Sequence, residues 1–200
     1  MGEHYFTKEP TSASCAAPAV WQHGDRDYEF ITDSGVFCRG HVDFGSKVLV
    51  ESLPALRGRV LDLGCGYGFI GIAAKLLNPK IELLMCDINA RALALAKSNA
   101  KKHGVAAETV QSDGFSEVQG SFDFVITNPP VRAGKAVYYP WFEEAAKRLN
   151  PGGTLYLVLQ RKQGAPSAQR HLETLFDKVT MIGRSAGFHV IAAQIKESGA

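Results

Sequence analysis

The sequence predicts an α/β fold, a doubly wound and mainly parallel seven-stranded sheet with an antiparallel last strand, preceded by a small N-terminal β-hairpin extension. Three observations carry that expectation. From Arg59 onward, short apolar runs alternate with segments of helical period. A glycine-rich turn, Asp62-Leu-Gly64-Cys-Gly66-Tyr-Gly68, joins the first such run to its helix. Near the C-terminus, strands at 179–182 and 188–195 are parted only by residues 183–187, too few for a parallel crossover, so they must be antiparallel.

Residues 1–56 lack long helical periodicity and form an N-terminal extension, with the main domain at 57–200. In the extension Asp27-Tyr-Glu-Phe-Ile-Thr32 reads as a strand, Asp33-Ser-Gly35 as a turn and Val36-Phe37-Cys38 as the resumed strand, a hairpin. Phe44, Val48, Leu49 and Leu53 then recur at helical spacing, with Pro54 near the helix end. Arg59-Val-Leu-Asp-Leu63 is the first buried strand. Phe69, Ile70, Ala73 and Leu77 mark the helix after it, which Asn78-Pro79 stops. Ile81-Glu-Leu-Leu-Met-Cys86 is the next strand. Asn89 caps a helix whose Ala90, Leu93, Ala94 and Ala100 face inward. Lys101, Lys102 and His103 complement its dipole, and Gly104 ends it. Further strands are expected at 109–112, 122–127 and 154–159. Helices are expected at 141–149 and 167–176, with Glu143 and Glu144 in the first turn of the former.

Composition narrows the class. In 200 residues, 46% hydrophobic and 21% charged content is globular and excludes fibrous or disordered chains. No apolar run reaches the ~18 residues of a membrane span, and Met-Gly-Glu-His-Tyr-Phe at the start is no secretory leader. Cys15, Cys38, Cys65 and Cys86 form no C-x-x-C pair, and the six histidines have no ligand spacing. The expectation is a reduced, cytoplasmic protein without a metal. Residues 1–56 carry four Lys/Arg against eight Asp/Glu, whereas 57–200 carry eighteen against twelve. The main body is therefore mildly basic and compatible with a polyanion partner.

The glycine turn contains a literal G-x-G-x-x-G, Gly66-Tyr-Gly68-Phe-Ile-Gly71, but the acids around it oppose a dinucleotide. Asp62 precedes the first glycine, where it repels a pyrophosphate and attracts a ligand bearing an ammonium and a sulfonium. Asp87 follows the second strand and is placed to take ribose hydroxyls. Asp113, in Ser112-Asp113-Gly114-Phe115, ends the third strand and can accept from an adenine amine. This pattern resembles the class I S-adenosylmethionine-dependent methyltransferases, with their Rossmann-like sheet, over roughly residues 59–195. The resemblance implies S-adenosyl-L-methionine as cofactor, held by Asp62, Gly64, Gly66, Asp87, Ile88, Asp113, Gly114 and Asn128.

Asn128-Pro129-Pro130 follows the fourth strand. An exocyclic base amine is a poor nucleophile because its lone pair is delocalised into the ring. The Asn128 side-chain oxygen and the Pro129 carbonyl can hold its two hydrogens and turn the lone pair toward the methyl group. Asn128, Pro129 and Pro130 are therefore the candidate catalytic residues. Val131 stands where many such enzymes carry a stacking aromatic. Phe37 and Arg132 can replace it, and Arg39, Arg132 and Lys135 suit an anionic substrate. Tyr138, Tyr139 and Trp141 either stack on RNA or lead a helix into the core. Cys65 and Cys86 suit small-residue packing near the cofactor.

The run Asn128-Pro-Pro-Val-Arg-Ala-Gly-Lys135 is similar to short bacterial relatives of the RsmC family of 16S rRNA guanine-N2 methyltransferases. His4-Tyr5-Phe6, Phe30-Ile-Thr32-Asp33, Gly35-Val36-Phe37 and Val42-Asp43-Phe44-Gly45 resemble that family's segment before the core. Cys38 stands where serine is commoner and Ser46 where threonine is. The resemblance implies methylation of a guanine in small-subunit rRNA, with that rRNA or the ribosomal subunit as partner and no membrane. Three other readings are a protein glutamine methyltransferase, an NAD-dependent oxidoreductase and a non-catalytic RNA-binding protein.

Overall fold

The computed structural model describes residues 11–197. His4-Tyr5-Phe6 and the chain start lie outside the described residues. Two strands, β1 (Ala17–His23) and β2 (Arg26–Thr32), form an antiparallel hairpin, followed by helix α1 (Phe44–Ser52). The main unit continues with β3 (Arg59–Leu63), α2 (Phe69–Leu77), β4 (Glu82–Asp87), α3 (Ala90–Lys102), β5 (Glu108–Gln111) and β6 (Phe122–Thr127). It ends with α4 (Lys135–Arg148), β7 (Leu149–Gln160), α5 (Ala165–Leu172), β8 (Lys178–Ser185) and β9 (Phe188–Gln194).

The seven-stranded sheet has the order β5-β4-β3-β6-β7-β9-β8. β9 runs antiparallel to both neighbours, as expected. The β8–β9 turn is tighter than the sequence suggested, because only Ala186 and Gly187 separate the strands. Both have positive φ, 44° and 83°, the twist a two-residue hairpin turn needs.

Alternation along the strands divides the core into two layers. β7 sends Tyr156 and Val158 to the face covered by α1, α2 and α3. It sends Leu155, Leu157 and Leu159 to the face covered by α4 and α5. Trp21 and Phe30 of the hairpin join the first layer beside Phe69 and Ile72. The hairpin is also fastened by Asn99 of α3. Its fully buried amide accepts from Ile31 N (2.8 Å) and donates to Ile31 O (2.9 Å) and Tyr67 O (2.9 Å). An amide side chain thus supplies β2 with the bonds a neighbouring strand would give.

Three local expectations are corrected. β2 pairs with the upstream β1 through Gly24-Asp25, not with 36–38. The chain leaves the strand after Thr32 because Asp33 accepts from Ser14 Oγ, Cys15 N and Ser34 N, and Cys38 sits at φ 55°, which no strand allows. Second, α4 starts at Lys135 rather than 141 and keeps Pro140 inside it, in its second turn. Third, Glu143 and Glu144 lie in the latter half of α4, away from its positive end. Glu144 accepts from Lys147 at 2.7 Å, which holds its carboxyl below the usual range. The other helices and strands lie where the sequence puts them within a few residues, and Asn89 caps α3 by accepting from Arg91 N and Ala92 N.

Candidate active site

A cavity of about 620 Å³ opens at the C-terminal ends of β3, β4, β5 and β6, within the range of small-molecule sites. Parallel strands bring their C-terminal ends to one edge, so the loops after them meet there. On one side of the cavity lie Gly64, Gly66, Asp87, Ile88, Asp113 and Gly114. On the other lie Asn128, Pro129, Pro130, Arg132 and Phe37.

The glycine loop is tied to β4. Gly64 N and Cys65 N both donate to Cys86 O at 2.9 Å. Gly66, at φ 56°, donates its N–H to Asp87 Oδ2 at 2.8 Å, and Asn89 N donates to Asp87 Oδ1 at 2.9 Å. These bonds fix the Asp87 carboxylate at the cavity wall. Burial still raises its pKa, more than these N–H groups lower it.

Asp62 is not at the cavity wall. It lies beneath it, fully buried, with Oδ2 accepting from Gly71 N at 2.7 Å and Oδ1 without a partner. Burial pushes its carboxyl up to about 7; the Gly71 N–H opposes this and the nearby Asp87 adds to it. A cation in the cavity would favour the charged form of this pair of acids.

Trp141 both lines the cavity and packs against the core beneath α4. Its ring lies over Gly64 and Gly114, where a Cβ would fall 3.2 Å and 2.5 Å from it respectively. Side chains at those two positions would displace the indole. Tyr138 is buried against Phe142, and Tyr139 stacks on His171 at 4.3 Å, so those two rings serve packing.

Asn128 is held from an element the sequence did not connect to it. Its Nδ2 donates to Asp43 Oδ2 (3.0 Å) and to Ser46 Oγ (2.9 Å) at the start of α1. Asp43 also caps α1 by accepting from Ser46 N (2.7 Å). Because a carboxylate only accepts, this contact fixes which end of the amide is nitrogen. The next two residues form a tight turn. Pro130 has φ −75° and ψ 73°, and Val131 N donates to Pro129 O at 2.8 Å, an inverse γ-turn. Pro129 O therefore keeps one further lone pair.

Two proposed substrate contacts are not brought to the cavity. Arg39 turns away, with Nε donating to Cys15 O at 2.7 Å and its guanidinium on Cys15 Sγ at 2.6 Å. Lys135 opens α4 with its Nζ 5.7 Å above the Tyr139 ring. His41 is exposed and near Arg39 O. Cys65 and Cys86 are buried, and burial raises both thiols. Cys38 lines the cavity, but burial, reinforced by Asp43, pushes its thiol up to about 12, leaving it protonated. Sequence reasoning missed the roles of Asp43, Ser46, Gln160, Gln163 and Phe188 in this site; only the Asp43-x-x-Ser46 capping spacing was there to signal the first two. Among the described residues no three His, Cys, Asp or Glu side chains gather as a metal site, and no helix is long and apolar enough to cross a membrane.

Residues 27–192 match the family model "Methyltransferase small domain". The chain is 40% identical to Bacillus subtilis (strain 168) YbxB over 199 residues, covering 97% of this chain and 99% of that one. It is 37% identical over 164 residues to the ribosomal RNA small subunit methyltransferase C of Aliivibrio fischeri (strain ATCC 700601 / ES114), covering 80% of this chain and 48% of the relative. Among solved structures, the T. thermophilus 16S rRNA N2 G1207 methyltransferase (RsmC) in complex with AdoMet and guanosine superposes with a TM-score of 0.80. Identity there is 26%, over 94% of this chain and 52% of that one. The chain thus spans about half the length of the rRNA methyltransferases it matches. A methyltransferase from Pyrococcus furiosus, at TM-score 0.66 and 21% identity, shares the fold. With the Rossmann-like strand order, the cavity at the strand ends and a family match across most of its length, this chain belongs to the methyltransferase small domain family.

Proposed function

We propose that this protein transfers the methyl group of S-adenosyl-L-methionine to the exocyclic N2 amine of a guanine in small-subunit rRNA. The observation that carries this reading is the orientation of Asn128. With Nδ2 committed to Asp43 and Ser46, the amide oxygen is left to accept a hydrogen from an incoming amine. The second amine hydrogen goes to the remaining lone pair of Pro129 O. Held by both, the nitrogen presents its lone pair rather than its ring-conjugated plane. The spent proton leaves to solvent once the nitrogen is alkylated, so no general base is needed.

The residues present fit the cofactor. When bound, S-adenosyl-L-methionine supplies an electrophilic methyl on a sulfonium. Asp87 offers acceptors for a ribose diol, with Ile88 and Gly114 beside it, and Asp113 stands where an adenine amine can donate. The unpartnered Oδ1 of Asp62 marks an acid that lacks its compensating charge. Gly64 and Gly66 allow close backbone approach. Arg132 and Phe37 flank the acceptor side.

The names of the longer relatives support rRNA as substrate, and the match to the guanosine-bound neighbour supports guanine. On this reading residues 1–56 form an extension to the methyltransferase domain at 57–200, and the protein works in the cytoplasm on rRNA or the ribosomal subunit. Mass spectrometry of rRNA nucleosides from cells lacking the protein tests it. Loss of one N2-methylguanosine is expected, restored by the wild-type gene. Unchanged rRNA with an unmethylated glutamine in a protein would replace this reading with glutamine methylation.

A further inference from the structure

The C-terminal edge of the sheet is divided by charge. Acids stand at the ends of β3, β4 and β5, namely Asp62, Asp87 and Asp113. The strands and loops of the other half supply none of their own: residues 124–142, 145–172 and 178–196 contain no Asp or Glu. The acid that reaches this side, Asp43 before α1, is engaged by Asn128 Nδ2 and Ser46 N. β8 runs parallel to β7, so its end, with Arg184, lies at the same edge as the end of β7. Beyond β7 a single 3-10 turn, Arg161–Gln163, carries two cations, and Arg161 N donates to Gly187 O at 2.7 Å. That bond locks the turn against the tip of the β8–β9 hairpin. The side chains of Arg161, Lys162 and Arg184 are exposed, and among the described residues no hydrogen bond or ion pair engages them.

This rim is continuous with the cavity. Gln160 and Gln163 line it, and so does Phe188, the first residue of β9. Phe188 packs on Phe44 with ring centroids 5.7 Å apart. It also lies on Gly45, where a Cβ would meet the ring at 2.7 Å. The ring is therefore seated in a fixed place on the wall of the cavity that Asn128 also lines, while Val131 offers none. A flat apolar ring next to unpaired cations is what an unstacked base and its flanking phosphates require.

Building on the proposed function, we propose that the Arg161–Gln163 turn and the β8–β9 hairpin form the docking surface for a single-stranded RNA segment. Phe188 stacks on the extruded target base, and Arg161, Lys162 and Arg184 take the neighbouring phosphates. Arg132, across the cavity, extends the same track. An A-form duplex cannot present its base to Phe188 without extrusion, so the surface selects unpaired or readily flipped targets.

Methylation of rRNA by the full chain tests this, with Arg161→Glu/Lys162→Glu/Arg184→Glu compared with Lys80→Glu/Lys178→Glu, which reverses charges at the opposite edge of the sheet. The first variant is expected to raise the KM for RNA roughly 10–100-fold and to flatten the log-log salt slope by about 2 units, with kcat changed far less. The second should leave both near wild type. Phe188→Ala should lower kcat/KM roughly 5–150-fold, and Phe188→Tyr should recover most of it. Equal losses from both charge variants, or an unchanged KM in the first, would overturn the docking surface while leaving the methylation reading intact. If the wild-type protein itself labels no RNA, the methylation reading fails and the docking surface with it.

Discussion

Asn128 Nδ2 lies 3.0 Å from Asp43 Oδ2, joining two residues 85 positions apart, one capping α1 and one ending β6. One carboxylate thus sets the start of a helix and the rotamer of the candidate catalytic amide. Asp43→Ala removes Oδ2, which accepts from both Ser46 N and Asn128 Nδ2, so the α1 cap is lost and stability should fall by about 0.5–2 kcal/mol. The same change removes the acceptor that dictates which way Asn128 faces. The single-turnover methylation rate should fall roughly 10-fold or more, on the scale of a lost hydrogen bond to a charged group. Unchanged single-turnover kinetics would show that Asn128 holds its orientation without Asp43.

Asn128→Ala is the direct test of the amide oxygen. That oxygen engages the amine chiefly as the nitrogen turns toward attack, so its loss should lower the single-turnover rate roughly 10²–10³-fold. Affinity for S-adenosyl-L-methionine, measured by calorimetry, should change far less.

Asp87→Ala removes the carboxylate that Gly66 N and Asn89 N hold at the cavity wall. Cofactor affinity should fall roughly 10–100-fold, the worth of hydrogen bonds to a charged acceptor. Calorimetry showing wild-type affinity would move the ribose elsewhere.

The buried Asp62 gives a pH signature. Its folded pKa, about 7, lies above its unfolded value, so the folded state binds the extra proton. This contribution to stability is complete below the unfolded pKa, near 4, and is lost as pH rises through about 7. Denaturant midpoints of the ligand-free protein should therefore decline between roughly pH 5 and 8. Asp62→Asn should flatten that decline, and S-adenosyl-L-methionine should bind with less proton release near pH 7 in the variant than in the wild type. A wild-type profile as flat as that of the variant would refute the assignment.

Asn99→Ala tests the attachment of the hairpin. It strands Ile31 N, Ile31 O and Tyr67 O, which should cost about 2–4 kcal/mol in chemical denaturation. Because Trp21 and Phe30 of the hairpin pack on Phe69, Phe30 also meets Tyr67, and both Tyr67 and Phe69 line the cavity, cofactor affinity should fall as well, but by less than in Asp87→Ala.

What the sequence determined by itself was everything encoded within a few neighbouring residues. The alternation of strand and helix, the Asn89 cap, the glycine turn and the antiparallel last pair all follow from period, φ and loop length. The same local signals singled out Gly64, Gly66, Asp87, Asp113 and Asn128, because loops after parallel strands meet at one edge whatever the strand order. The tertiary structure decided what depends on distant partners. β1, with its weaker pattern, won the pairing with β2 because Asp33 closes the strand and Trp21 finds a buried place beside Phe69. Asp62 kept its acid type but sank beneath the cavity. Trp141 entered the site because α4 starts at Lys135, six residues before the expected start at 141, and its indole lies over Gly64 and Gly114. Arg39 left it for Cys15, and Phe188 arrived from the far end of the chain. Each of these outcomes is set by which surfaces are left uncovered once the sheet has formed, and no window of local sequence contains that information.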